Sequence, residues 1–355
     1  MEQTNNTLAM LELMTQAAFC VEKGQIIGVN KAARQHNINV GTPLSDLLET
    51  GRQEYEDFTG GCLYLTLCLS GVPFGVSVTR VNDTDIFLLE PESDRSDLQI
   101  MALAAQELRQ PLSNVMAIAD QLFPVSEEAL TPELKDQAAR INRGLFQMLR
   151  IISNMSDAYR YQQNTTNRQE TRDICGIINE LFQNASPLIA HTGLQLNYTP
   201  LPESIYCLVD FEKLERAISN LLSNAIKFSP KGGKINARLS RKGKILYLTI
   251  QDDGSGIEES IRSSIYDRFH RLPGIEDSRY GIGLGMVLIR AAAAAHGGTV
   301  LMEQHPDWGT RLTMTFSIRQ SKESSVHNKI LQVDYAGERD HRLLEFSESL
   351  PAELY

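Results

Sequence analysis

Three patterns follow one another in a fixed order between residues 210 and 316, and few folds accommodate all three. Asp210 stands where an N-cap belongs, and Leu214, Ile218, Leu221, Ala225 and Phe228 repeat at helical spacing. Asn220, Asn224 and Lys227, four and three residues apart, share a neighbouring face of that helix. Amide oxygens beside an ammonium suit Mg2+ with phosphates, because the metal takes hard oxygen ligands and the lysine neutralises charge. A solvated helix face also carries such residues, so this pattern decides nothing alone. Residues 245–251 alternate as a strand and deliver Asp252 just before Gly254 and Gly256. A carboxylate fixed by a strand accepts a hydrogen bond from an amino group, and the glycines let a flat ring approach. Gly281, Gly283 and Gly285 then open the run 286–295. Glycines at a helix start bare the backbone N–H groups, which favour phosphate.

In this order the stretch resembles the ATP-binding domain of sensor histidine kinases, in the superfamily shared with gyrase and the mismatch-repair ATPase MutL. The likeness extends to Tyr266-Asp267-Arg268-Phe269-His270-Arg271, similar to the family's F-box. It also takes in Gly297-Gly298-Thr299 and Gly309-Thr310-Arg311-Leu312, similar to its closing strands. The resemblance implies that Asn224 ligates Mg2+ while Asn220 and Lys227 serve the phosphates of ATP. It implies that Phe228 flanks the adenine, Asp252 reads its amino group, and Gly281, Gly283 and Gly285 hinge a lid. Gly254, Gly256, Phe269 and Thr310 complete the implied nucleotide-binding set. Strands at 235–239, 246–250 and 312–318 alternate cleanly, with Leu312, Met314, Phe316 and Ile318 facing inward, so residues 171–319 are expected to form a two-layer α/β sandwich, which the resemblance implies is of the Bergerat type.

Residues 93–163 have a different rhythm. Leu98, Met101, Ala105, Leu108, Leu112, Val115, Ala119 and Leu122 alternate spacings of three and four. So do Leu134, Ala138, Ile141, Leu145, Met148, Ile152, Met155 and Tyr159. Two such helices make an antiparallel hairpin, and a lone hairpin leaves its seam half covered. Pairing two hairpins into a four-helix bundle covers it, so a homodimer is expected; the other reading packs the hairpin on its own chain. Within the first helix, Gln106-Glu107-Leu108-Arg109-Gln110-Pro111-Leu112 resembles the histidine-kinase H-box, usually H-E-L-R-T-P-L. Gln106 occupies the phosphoacceptor position and Gln110 that of the threonine. A neutral imidazole nitrogen can attack phosphorus, whereas a carboxamide nitrogen has its lone pair delocalised. Glu107, the implied proton acceptor, is left without a client.

Residues 1–92 mix helical and strand-like runs: 8–19 reads as helix, 25–29 as strand, and 63–69, 74–81 and 85–89 as further strands. The segment Gly24-Gln25-Ile26-Ile27-Gly28-Val29-Asn30-Lys31-Ala32-Ala33, with Gly41 and Leu44 after it, resembles a PAS sensory domain. That implies a small-molecule or protein signal without naming it. Residues 163–170 read as a linker, and 320–355 as a flexible acidic tail in which Leu343, Leu344, Phe346, Leu350 and Leu354 offer a docking helix as the alternative.

A formal net charge of −10 argues against nucleic acid or anionic membrane as partner. Five scattered cysteines without a CxxC pair fit reduced thiols, no apolar run reaches bilayer length, and no leader pattern is present, so a cytoplasmic multidomain α+β protein is expected. The favoured function is that of a two-component sensor binding Mg-ATP as a homodimer, opposite a response regulator, without autophosphorylation at the H-box: a pseudokinase. One alternative is an active histidine kinase using His191, His296, His327 or His341 as acceptor. Another is a phosphatase of a response regulator, with Gln110 orienting water. A serine/threonine kinase on the same ATP site is disfavoured by the heptad hairpin and the proline within it.

Overall fold

The computed structural model describes residues 11–90, 93–122, 131–162, 169–256, 283–305, 309–319 and 340–355, the side chains of 93–96 and Gln162 excepted. The N-terminal lobe is a five-stranded antiparallel sheet of β1 (Ala18–Glu22), β2 (Gln25–Val29), β3 (Cys62–Leu69), β4 (Val72–Val81) and β5 (Thr84–Leu89), ordered β2-β1-β5-β4-β3. Two short helices, Lys31–Arg34 and Arg52–Glu56, cross between β2 and β3. Asn30 caps the first of them, its side-chain oxygen accepting from Ala33 N–H. The helix expected at 8–19 is corrected: within the described part the chain is helical only through Leu13, and Ala18 and Phe19 belong to β1. Phe19, Leu65, Val76 and Phe87 form its core, both faces of β1 being covered, which removes the alternation that would have marked it as strand.

Helices α1 (Ser93–Leu122) and α2 (Pro132–Gln162) pack on each other as the heptads predict. The seams divide in an informative way. Leu98, Ala105, Leu112 and Ala119 of α1 are buried with Ala138, Leu145 and Ile152 of α2. The alternate members Leu108, Val115 and Leu122, and Leu134, Ile141 and Met148, face outward. Each heptad stripe therefore holds the hairpin together with one half and leaves most of the other half open, Met101 and Met155 being the members of that other half that are covered.

The C-terminal lobe places α3 (Ile174–Ala190), α4 (Phe211–Phe228) and α5 (Leu284–Ala295) against a sheet of β7 (Gln195–Thr199), β9 (Lys234–Lys242), β10 (Ile245–Asp252), β11 (Val300–His305) and β12 (Gly309–Ser317). The small ribbon β6 (Glu170–Asp173) with β8 (Tyr206–Val209) adds a second sheet. Leu246, Leu248 and Ile250 of β10, and Met314 and Phe316 of β12, enter the core beneath the helices, as their alternation predicts.

The large sheets of the two lobes are continuous, the ribbon of β6 and β8 staying separate. Cys62–Tyr64 of β3 pair antiparallel with Val300–Met302 of β11, giving ten strands in the order β2-β1-β5-β4-β3-β11-β12-β10-β9-β7. Gly61, at φ +92, permits this approach, since a Cβ there would lie 2.3 Å from the carbonyl oxygen of Met302. Across the junction Thr315 Oγ1 donates to buried Glu54 at 2.8 Å, and Arg290 pairs with Glu90 at 2.7 Å over the Tyr64 ring. Both faces of β12 are consequently covered near Thr313 and Thr315, where the alternation predicted one solvated face.

The tail expectation is also corrected. Within 340–355, α6 (His341–Phe346) begins at Asp340, whose side chain accepts from Arg342 N–H, and Leu344, Phe346 and Leu350 are buried. This segment lies against α2 and α4. The docking-helix alternative is the one that the structure takes, because three apolar side chains within seven residues find an apolar surface on the same chain.

Candidate functional site

Helix α4 is fixed at its start by Asp210, whose side chain accepts from Lys213 N–H while its own N–H donates to His296 Nε2. Its apolar stripe is sunk in the core, which leaves Asn220 buried and Asn224, Lys227 and Phe228 half-buried along one side. The first turn of α5 comes close enough that a Cβ on Gly285 would sit 3.0 Å from Asn220 Oδ1. Gly283, at φ +78, is the N-cap residue of α5, a left-handed conformation that glycine adopts without strain.

Asp252 closes β10 at 7% exposure. Its Oδ1 accepts the backbone N–H of Gly254 at 2.8 Å and of Thr310 at 3.3 Å. Burial pushes the carboxyl up to about 6, against the lowering effect of those two donors. The cradle is built by close approach: a Cβ on Gly254 would meet Asp252 Oδ1 at 2.6 Å and the Phe228 carbonyl oxygen at 2.7 Å. Asp252 and Gly254, Phe228 and Thr310 thus come from three chain segments to one place. Both described side-chain hydrogen bonds to Asp252 use Oδ1, and the side chain of Asn224 has no hydrogen bond among the described residues. A buried acceptor beside a glycine cradle, with an amide and an ammonium further along α4, fits a flat base bearing an amino group and an anionic chain. Gly256, at φ +75, leads out of this cradle. Phe269 and Gly281 lie outside the described residues.

Gln106, Glu107 and Gln110 are exposed on α1. Gln110 Nε2 donates to Asn114 Oδ1 at 3.2 Å, and among the described residues no hydrogen bond or ion pair joins the three to α4 or α5. His296 is sequestered. Its Nε2 accepts from Asp210 N–H, its Nδ1 lies 2.7 Å from the Ala292 carbonyl oxygen, and burial lowers its pKa to about 4. Both nitrogens are engaged, so neither is available as a nucleophile in this fold.

The sequence reading missed a charged cluster on the other side of Asn220. Arg150 of α2 is buried and donates to Asn220 Oδ1 at 3.3 Å and Ser223 Oγ at 3.2 Å. Arg216, one turn before Asn220, pairs with Asp157 at 2.8 Å and with Glu345 of α6. Glu348 lies 3.1 Å from Arg150 and 2.9 Å from Lys227. The only trace of this in the sequence is Glu345 and Glu348 set among the apolar residues of the final segment.

Residues 209–320 match the family described as histidine kinase-, DNA gyrase B-, and HSP90-like ATPases. The sensor protein KdpD of Clostridium acetobutylicum is 29% identical over 219 residues, which are 60% of this chain and 24% of that protein. The sensor histidine kinase WalK of Bacillus subtilis is 26% identical over 247 residues, covering 66% of this chain and 39% of that protein. The crystal structure of full-length ShkA in complex with AMPPNP shares the fold at a TM-score of 0.50 and 22% identity, over 63% of this chain and 47% of that one. The chain therefore spans less than half the length of each of these proteins.

Proposed function

Since the chain belongs to the sensor histidine kinase family, with its HATPase_c domain at 209–320, we propose that it is a Mg-ATP-binding signalling pseudokinase, working as a homodimer in a two-component pathway. In this reading Asp252 accepts the adenine amino group and Phe228 flanks the ring. Asn220 and Lys227 face the phosphates, and the glycine-bared start of α5 adds backbone donors. Mg2+ would be held by Asn224 together with phosphate oxygens and water, as suits an ion that keeps several non-protein ligands. Among the described residues no group of three His, Cys, Asp or Glu side chains is placed to hold a metal unaided. When bound, the ion screens the charge of the phosphates. Phe269, Gly281 and the rest of 257–282 would supply the lid.

One observation carries the pseudokinase half: a glutamine at position 106, exposed on a well-formed hairpin, where the resemblance expects the phosphoacceptor histidine. The closed environment of His296 supports this against an alternative acceptor there. The natural chain is expected to take no label from ATP radioactive at the γ-phosphate. Gln106→His restores an unshared nitrogen lone pair at neutral pH. It is expected to give an acid-labile, alkali-stable phosphoramidate if only the nucleophile has been lost. Acid-labile label on the natural chain, removed by His191→Ala, His327→Ala or His341→Ala, would instead make it an active kinase with a displaced acceptor.

The homodimer is supported by the open part of each heptad stripe. Leu108 at 51% exposure and Met148 at 47% leave apolar surface open among the described residues, which a second hairpin would cover. Because both face outward within one protomer, Leu108→Glu with Met148→Glu is expected to leave the protomer folded while converting dimer to monomer by light scattering. A monomeric parent protein would end this reading. The strand order β2-β1-β5-β4-β3 and the Asn30 cap support a PAS-like sensor at 1–92, with the hairpin at 93–163. No described helix is long and apolar enough to cross a membrane. A cytoplasmic location and a response-regulator partner remain parts of the proposal.

A further inference from the structure

Glu348 occupies a position built for an anion. The segment carrying it is clamped by its backbone: Arg143 donates to the carbonyl oxygens of Ser347 and Glu348, each at 3.1 Å, and Gln147 donates to Ser347 at 2.9 Å. This sets the Glu348 carboxylate between Arg150 and Lys227. Burial pushes its pKa up, and Arg150 and Lys227 more than reverse that, so the group is held below the usual carboxylate range. Arg150 also touches Asn220, the buried amide of the nucleotide-binding helix, whose Oδ1 faces the first turn of α5. A planar guanidinium beside an ammonium is matched to phosphate as well as to carboxylate. With the segment withdrawn, two cations would face the glycine-bared helix start, and polyanion would be the favoured occupant.

We propose that Arg150 is a phosphate-binding residue which the helical hairpin contributes to the nucleotide site, and that Glu348 of the chain's own C-terminal segment holds this position as a displaceable carboxylate. The segment and the nucleotide's phosphates compete for Arg150 and Lys227. Nucleotide arrival is thereby felt on α2 directly, and release of residues 340–355 accompanies it. This rests on the Mg-ATP reading above.

The test is calorimetric titration of the full chain with Mg-AMPPNP and, separately, with adenosine. If the segment occupies the site about nine-tenths of the time, Glu348→Gln should bind Mg-AMPPNP roughly tenfold more tightly. Adenosine, lacking phosphates, should bind both proteins equally. Glu353→Gln makes the same charge change at an exposed position of the segment and should behave as the parent. Arg150→Gln added to Glu348→Gln should reverse the gain, with thermal melts verifying that each variant folds. Parent binding with Glu348→Gln no tighter than Glu353→Gln overturns the competition and leaves the nucleotide reading standing. Undiminished binding in the folded Arg150→Gln/Glu348→Gln double variant overturns the assignment of Arg150. Folded proteins that bind Mg-AMPPNP in no form overturn both readings together.

Discussion

Asp252→Asn is expected to abolish nucleotide binding and, in the same molecule, to raise the unfolding temperature of the free protein. The two effects have one cause. The carboxylate is nearly buried, and its pKa of about 6 means that burial penalises the charge it carries at neutral pH. Each unit of that displacement costs about 1.4 kcal/mol, so relief of about 2 kcal/mol is expected after discounting for residual solvent. Asparagine keeps the oxygen that accepts from Gly254 and Thr310 and replaces the other oxygen by an NH2 group. An amino-bearing base then meets a donor where it needs an acceptor, and roughly a hundredfold or more of affinity should go. The pH dependence follows in sign. The folded-state pKa lies above the unfolded 3.8, so the parent gains stability on acidification. The advantage of Asn should be present above about pH 6 and shrink towards pH 4. Calorimetry with Mg-AMPPNP and melts across that window check both halves. Unchanged affinity would remove Asp252 from base recognition.

Arg216→Met is the second large effect. The guanidinium is fully buried and bridges Asp157 of α2 and Glu345 of α6, with Asn154 Oδ1 at 2.7 Å. Removing one partner of a buried ion pair leaves the other's charge uncompensated, at a cost of about 3–5 kcal/mol. Asp157 keeps Arg160 at 2.6 Å, whereas among the described residues Glu345 keeps Arg150 Nε at 3.6 Å, too long for a hydrogen bond. The deficit should therefore centre on Glu345. Arg216→Met with Glu345→Met is expected to recover most of it, since well-packed apolar replacements of buried ion pairs are often neutral. Urea denaturation measures both. A loss below about 1 kcal/mol in the single variant would mean that water reaches the cluster.

The sequence spoke clearly where pattern and chemistry are local. The stripe on α4, the alternation in β10 and the paired heptads each determine their own element, and the structure places them accordingly. Asp252 was legible because a strand delivers it just before Gly254, whereas Thr310 came only with the family resemblance; the structure brings the two together, Thr310 N–H donating to Asp252. What stayed hidden is non-local. The pairing of β3 with β11 is made by backbone groups, which every residue carries, so no side-chain pattern announces it. Arg150 sits between heptad positions of α2 and looks like any solvated arginine until Asn220 and Glu348 are brought to it from elsewhere in the chain. Residues 340–355 were misjudged because their few apolar side chains had no visible partner; that partner surface exists only once α2 and α4 lie side by side.

The continuous sheet governs how this protein can be taken apart. A cut between the lobes frees β3 along Cys62–Tyr64 and β11 along Val300–Met302, each with backbone donors and acceptors that had been satisfied by the other. Both strands are apolar there, carry no proline or charge, and remain paired on their far sides to β4 and β12. They are therefore held straight, as templates for further pairing. Within the freed residues there is no lysine or proline of the kind by which natural edges resist self-association. Fragments ending near residue 92 or starting near 170 should accordingly gather into multimers through these strands, and a charged residue at Tyr64 or Leu301, whose side chains pack against the opposite lobe, is the substitution that would keep them apart.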